Sequence, residues 1–99
     1  RRVLFRSNDD ATNTNDDVAT NFTLTDATWC HFNIDFSNLN DVKMYAGFYG
    51  NAMHRLAANT TLKMSSYAAG LQPFFQIQKT SDSNVDALQI DYVRCWGVR

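Results

Sequence analysis

Between Trp29 and Phe36 the side chains alternate without a break: Cys30, Phe32, Ile34 and Phe36 take one parity, and Trp29, His31, Asn33 and Asp35 the other. Successive side chains of a strand point to opposite faces, so the octet reads as a half-buried strand whose first set is core. Ser37 to Asp41 supplies hairpin chemistry, after which Val42 to Tyr45 resumes as strand. The run continues through Ala46, Gly47, Phe48 and Tyr49 to Gly50-Asn51, which implies either a longer hairpin or a bulge at Gly47. Met53 to Ala57 returns as strand, 58–61 is a loop, and Leu62 to Met64 adds a short strand. Ser65 to Gly70 reads as at most one helical turn, with Gly70 ending it. No longer helix, no repeat and no linker interrupts this pattern. The class is all-β, and antiparallel strands with short connections favour a sandwich.

The C-terminal third adds two runs dense in aromatic and β-branched residues, Leu71 to Lys79 and Leu88 to Gly97. The polar residues Thr80 to Asn84 stand between them. Both read as strands, with Leu88, Ile90, Tyr92 and Trp96 facing a core. The motif Ile90-Asp91-Tyr92-Val93-Arg94-Cys95-Trp96 resembles the closing strand of concanavalin A-like jelly-roll sandwiches, the superfamily of legume lectins and laminarinases. With the Leu71–Lys79 run and the loop before it, the block is most similar to lectin-like modules of phage tail, fibre or head-decoration proteins. The resemblance implies a jelly-roll sandwich, a virion location with assembly in a bacterial cytoplasm, and partners among cell-surface glycans and other virion proteins. It also implies a homo-oligomer, since trimeric or higher assembly is common in those proteins.

The other end bears on how much of such a fold is present. Arg1-Arg2-Val3-Leu4-Phe5-Arg6-Ser7 matches the in-frame translation of a common sequencing adapter, and is set aside from fold reasoning as a fusion scar would be. Residues 8–99 then read as the C-terminal part of one sandwich, because lectin-type sandwiches run to ~200 residues as a single unit. Asn8 to Asn21 is rich in Asn, Asp and Thr and reads as a solvated loop or the frayed remains of a severed strand, with a short alternating segment at Phe22 to Leu24 and a turn at Asp26 to Thr28.

A net charge of −1 with scattered basic residues gives no stripe for a nucleic-acid backbone. No apolar run approaches the ~20 residues of a membrane-spanning helix. Cys30 and Cys95 have no metal-ligand spacing and read as small buried hydrophobes; a disulfide between them needs neighbouring strands, which the sequence does not fix, and the cytoplasmic assembly that the resemblance implies favours reduced thiols. Asn13, Asn15 and Asp17 alternate like calcium ligands, but no Gly follows at the sixth position and no Glu closes the loop. No cofactor is therefore assigned, and a structural calcium rests only on its occurrence in lectin-like sandwiches. The sequons Asn21-Phe22-Thr23 and Asn59-Thr60-Thr61 are the chance matches expected of an Asn- and Thr-rich chain, and no glycosylation is expected.

Catalysis finds no support. Retaining glycoside hydrolysis needs two carboxyl groups about 5 Å apart, and the chain contains no glutamate, while Asp35 has no acidic partner two or four residues away. His31 and His54, the only histidines, form no nucleophile–base pair with the scattered Ser, Asp and Cys residues. A hydrolase whose catalytic strand lies upstream is the remaining enzymatic alternative. Binding fares better, because sugars are held by aromatic faces and by planar amide or charged groups. Trp29, His31, Asn33 and Asp35, joined by Tyr45 and Tyr49 and by Gln76 and Gln78, are the candidate carbohydrate-binding set. The bland alternative is that these are ordinary residues of a solvated face, which needs no ligand. The function expected is a non-enzymatic virion module that binds host-surface glycan, with a purely structural decoration role as the close competitor.

Overall fold

A computed structural model describes residues 3–7, 18–66, 70–76 and 87–97. The chain divides into two units, Arg1–Ala69 and Gly70–Arg99. Among the described residues the first unit holds five strands: β1 (Val3–Ser7), β2 (Val18–Leu24), β3 (Cys30–Asp35), β4 (Lys43–Phe48) and β5 (His54–Leu56). They form an antiparallel β1–β2 pair and a three-stranded antiparallel sheet in the order β3-β4-β5. No helix occurs among the described residues, so the all-β class stands.

The three-stranded sheet follows from the alternation. β3 pairs with β4 from Cys30↔Phe48 to Asp35↔Lys43 without a shift, and β4 pairs with β5 from Met44↔Leu56 to Ala46↔His54. The expected β3–β4 hairpin is closed by the bond from Asp41 N–H to the Asn38 carbonyl at 3.0 Å. Gly47 carries no bulge; β4 runs straight through it to Phe48. The turn comes at Gly50, whose φ of 86° lies in the left-handed region glycine tolerates, with Asn51 N–H donating to the Phe48 carbonyl at 2.9 Å. Leu62 adds a single bridge to Val42 in place of the short strand expected there.

Opposed residues share a face, so the sheet has two clear sides. Cys30, Phe32, Ile34, Met44, Ala46, Phe48, His54 and Leu56 lie on one; His31, Asn33, Asp35, Lys43, Tyr45, Gly47 and Arg55 lie on the other. The core sits on the apolar side, where Ala46 and Leu56 are buried together with Val42 and Leu62. The Phe22 ring of β2 packs there too, 5.9 Å from Phe32 and 5.2 Å from Phe48 between centroids.

Five expectations are corrected. Val18 to Asn21, read as a solvated loop or strand remains, belongs to β2, which decides for strand: Thr20 is buried and its hydroxyl accepts the Phe22 N–H at 3.3 Å, so tertiary contact orders a stretch whose composition favoured solvent. Phe32, Ile34 and Phe36 take the apolar parity but stay exposed at 43%, 53% and 42%, because β3 is the edge strand and β2 reaches the sheet through Phe22. The C-terminal runs carry no strand over 71–76 or 87–97. Ile90, Tyr92 and Trp96, expected in the core, are exposed, the last two at 75% and 76%. Strand propensity measures fit to a half-buried pleated surface, and these segments present their aromatic residues to solvent instead. Last, Cys95 is exposed, so only Cys30 keeps part of the expected burial, and both thiols are free.

Val3–Ser7, within the stretch set aside from fold reasoning, is the strand paired with β2, with a register shift between Leu4 and Arg6. The expected helical turn at 65–70, the calcium-like alternation at 13–17 and part of the Leu71–Lys79 run fall on residues outside those described.

Candidate functional site

The polar side of the three-stranded sheet gathers most of the candidate residues. Asn33 stands opposite Tyr45, Asp35 opposite Lys43, and His31 opposite Gly47. One step beyond the strands, Tyr49 N–H donates to the Trp29 carbonyl at 2.8 Å, carrying the alternation to a further Trp29/Tyr49 pair. That bond makes the polar-face pairs the hydrogen-bonded ones and leaves the apolar pairs in the closer, non-hydrogen-bonded positions. It also turns the N–H and C=O groups of Cys30, Phe32 and Ile34 away from β4, along the edge of β3. Trp29 and Tyr49 are exposed, Tyr49 at 81%; His31, Asn33, Asp35 and Tyr45 are half-buried. Gln76 is exposed in the second unit, and Gln78 lies outside the described residues.

The local electrostatics are mild. The Ser37 hydroxyl and backbone N–H, the latter at 2.9 Å from Asp35 Oδ1, hold the Asp35 carboxyl below its usual range, with Lys43 across the strand adding to the effect. Arg55 donates to Asp41 Oδ1 at 3.5 Å, both side chains being about one-third exposed, a pair worth at most ~1 kcal/mol. Burial pushes the Cys30 thiol up and makes it a poorer nucleophile.

Among the described residues, two buried side-chain atoms lack a protein partner: His31 Nε2 and Arg55 Nε. Both belong to residues of the polar side. The His31 ring is packed in beside Gly47, where an added Cβ would meet the Ala52 carbonyl oxygen at 2.7 Å and His31 Nε2 at 3.0 Å. The chain after Gly50 thus folds back over this end of the face, and only glycine leaves it room. Buried nitrogens without partners each cost ~1–3 kcal/mol, and both atoms are covered by the chain itself.

A second feature escaped the sequence reading. A cleft of about 340 Å³ is lined by Thr20, Asn21, Arg55, Asn59 and Thr60 among others. Its polar lining joins β2 to the loop after β5, and the sequence signal was hidden because 8–21 read as a solvated stretch. In the second unit the Arg94 guanidinium lies 5.9 Å from the Trp96 ring centroid, a cation–π contact between residues two apart on an extended chain. No cluster of three or more His, Cys, Asp or Glu side chains suited to a metal occurs among the described residues.

Compared with family models, curated proteins and solved structures, the chain matches none.

Proposed function

We propose that the chain is a non-enzymatic binding module: part of a concanavalin-like β-sandwich in a phage virion protein, holding host-surface glycan on the polar side of its three-stranded sheet. The observation that carries this reading is the register, which aligns Trp29, His31, Asn33, Asp35, Tyr45 and Tyr49 in one alternation. Exposed Trp29 and Tyr49 rings at one end offer stacking surfaces, and half-buried Asn33, Asp35 and Lys43 behind them offer hydrogen bonds to hydroxyls.

A structural role in decorating the particle is the second reading, favoured by the exposed apolar row Ile34, Phe36 and Leu39, since such patches mark protein contacts. The two separate on a glycan array probed with the full chain. Saturable binding of a saccharide, lost in Trp29→Ala and Tyr49→Ala variants that keep the wild-type circular dichroism, is the expected result. An array with no bound saccharide rejects the lectin reading and leaves assembly.

A further inference from the structure

The cleft of about 340 Å³ beside β5 is walled by β2 on one side and by the turn after β5 on the other. Both walls are held by the chain itself. Thr20 is buried and its hydroxyl accepts the Phe22 N–H at 3.3 Å, while Phe22 packs on Phe32 and Phe48. Opposite, the Thr60 N–H donates to the Ala57 carbonyl at 2.9 Å, and Ala57 takes a φ of 47°. Left-handed backbone at a residue other than glycine is strained, and such positions persist where the surrounding structure fixes them, often at ligand clamps.

The lining offers two kinds of group. Arg55 is its one charged residue. The contact to Asp41 uses a single nitrogen at 3.5 Å and leaves about one-third of the Arg55 side chain exposed. That distance exceeds the ~2.7–2.9 Å of a full charge-assisted bond, so the guanidinium keeps N–H donors for a second carboxylate. Asn21 on one wall and Asn59 and Thr60 on the other add amide and hydroxyl groups, which both donate to and accept from neutral hydroxyls. The remaining side chains of the lining are short, and no aromatic ring takes up the space. The volume stands at the small end of the ~300–1,000 Å³ typical of ligand pockets, room for one sugar-sized molecule.

The geometry points to a binding site in this cleft for a hexuronate, its carboxylate paired with Arg55 and its ring hydroxyls bonded by Asn21, Asn59 and Thr60. The inference does not rest on glycan binding by the row from Trp29 to Tyr49.

The test follows the backbone amides of the full chain by NMR, at neutral pH and fixed ionic strength, as methyl β-D-glucuronide is added. Methyl β-D-glucoside, with a hydroxymethyl group in place of the carboxylate, and acetate, without the ring hydroxyls, are the controls. The glucuronide is expected to shift 18–21 and 55–60 saturably, and each control to bind at least about tenfold more weakly, the loss that follows removal of a charge-assisted bond or of several neutral ones. Arg55→Gln is expected to abolish the preference for the glucuronide over the glucoside. Asn59→Ala, on the exposed turn and away from the Arg55–Asp41 pair, is expected to weaken both sugars while the amide spectrum of β3–β5 stays as in wild type. No saturable shift in 18–21 and 55–60 overturns the proposal, as does equal affinity for the glucoside or for acetate, or a preference that survives Arg55→Gln. Shifts centred instead on 29–35 and 43–49 also overturn it, since they place the sugar on the polar side of the sheet and leave the cleft empty.

Discussion

At Gly47 the absence of a side chain is what lets two parts of the chain meet. A methyl group there would stand 2.7 Å from the Ala52 carbonyl oxygen, which belongs to backbone and cannot swing aside. Gly47→Ala is therefore expected to destabilise the unit by about 1–3 kcal/mol, the usual range for overpacking. Gly50 makes the contrast: nothing lies within 4 Å of its added Cβ, and only its φ of 86° resists substitution, so Gly50→Ala should cost about 1 kcal/mol. Urea unfolding of the two variants decides the order. Asp35 gives the second prediction at this scale. Its carboxyl is held low by Ser37, so the stabilisation it brings is fully present above the ordinary carboxyl range and is lost as pH falls through the lower, folded value. An NMR titration should show Asp35 protonating below the ordinary carboxyl range, and Ser37→Ala should move it back up. A titration at the ordinary position in wild type would remove the Ser37 contact from the account.

At the scale of the element, the β3–β4 hairpin was the most legible part of the chain. An eight-residue alternation and a Ser-Asn-Leu-Asn-Asp connection leave one register that puts Phe32 and Ile34 on the side of Ala46 and Met44. The β4–β5 turn was less legible, since Gly47 and Gly50 both offered a break and only contact with Ala52 explains the first. Less legible still was β2: Asn- and Thr-rich composition masked Val18 to Asn21, and the reason they are ordered lies in long-range packing of Thr20 and Phe22. The sheet itself depends on few side chains. Leu56, 3% exposed, anchors β5 to the apolar side, and Leu56→Ala is expected to cost about 2–5 kcal/mol. Since small domains are stable by only ~5–15 kcal/mol, that loss should show as a markedly lower thermal midpoint. A midpoint within a degree of wild type would mean that β5 is not held by this residue.

For the whole molecule, apolar residues outside the core matter as much as those within it. Ile34, Phe36 and Leu39 are exposed in the first unit, and Phe74, Tyr92 and Trp96 in the second. Exposed rows of this kind favour association. Ile34→Asp should reduce binding of a hydrophobic dye and shift the protein toward the monomer in sedimentation, while amide exchange in 43–48 stays as in wild type. Unchanged dye binding would take Ile34 out of the associating surface.

The amino-acid sequence by itself determined the strand class, the parity of each residue in β3 and β4, and the absence of a paired-glutamate site, because these depend only on neighbours along the chain. It also aligned the polar candidates, since side chains two apart in a strand share a face. Which of the two apolar sets became core was decided by tertiary structure. Val42, Ala46, Leu56 and Leu62 are covered, whereas β3 lies at an edge and Leu88 to Trp96 stays exposed without strand pairing. Burial depends on what arrives from elsewhere in the chain, and hydrophobicity read locally carries no record of that.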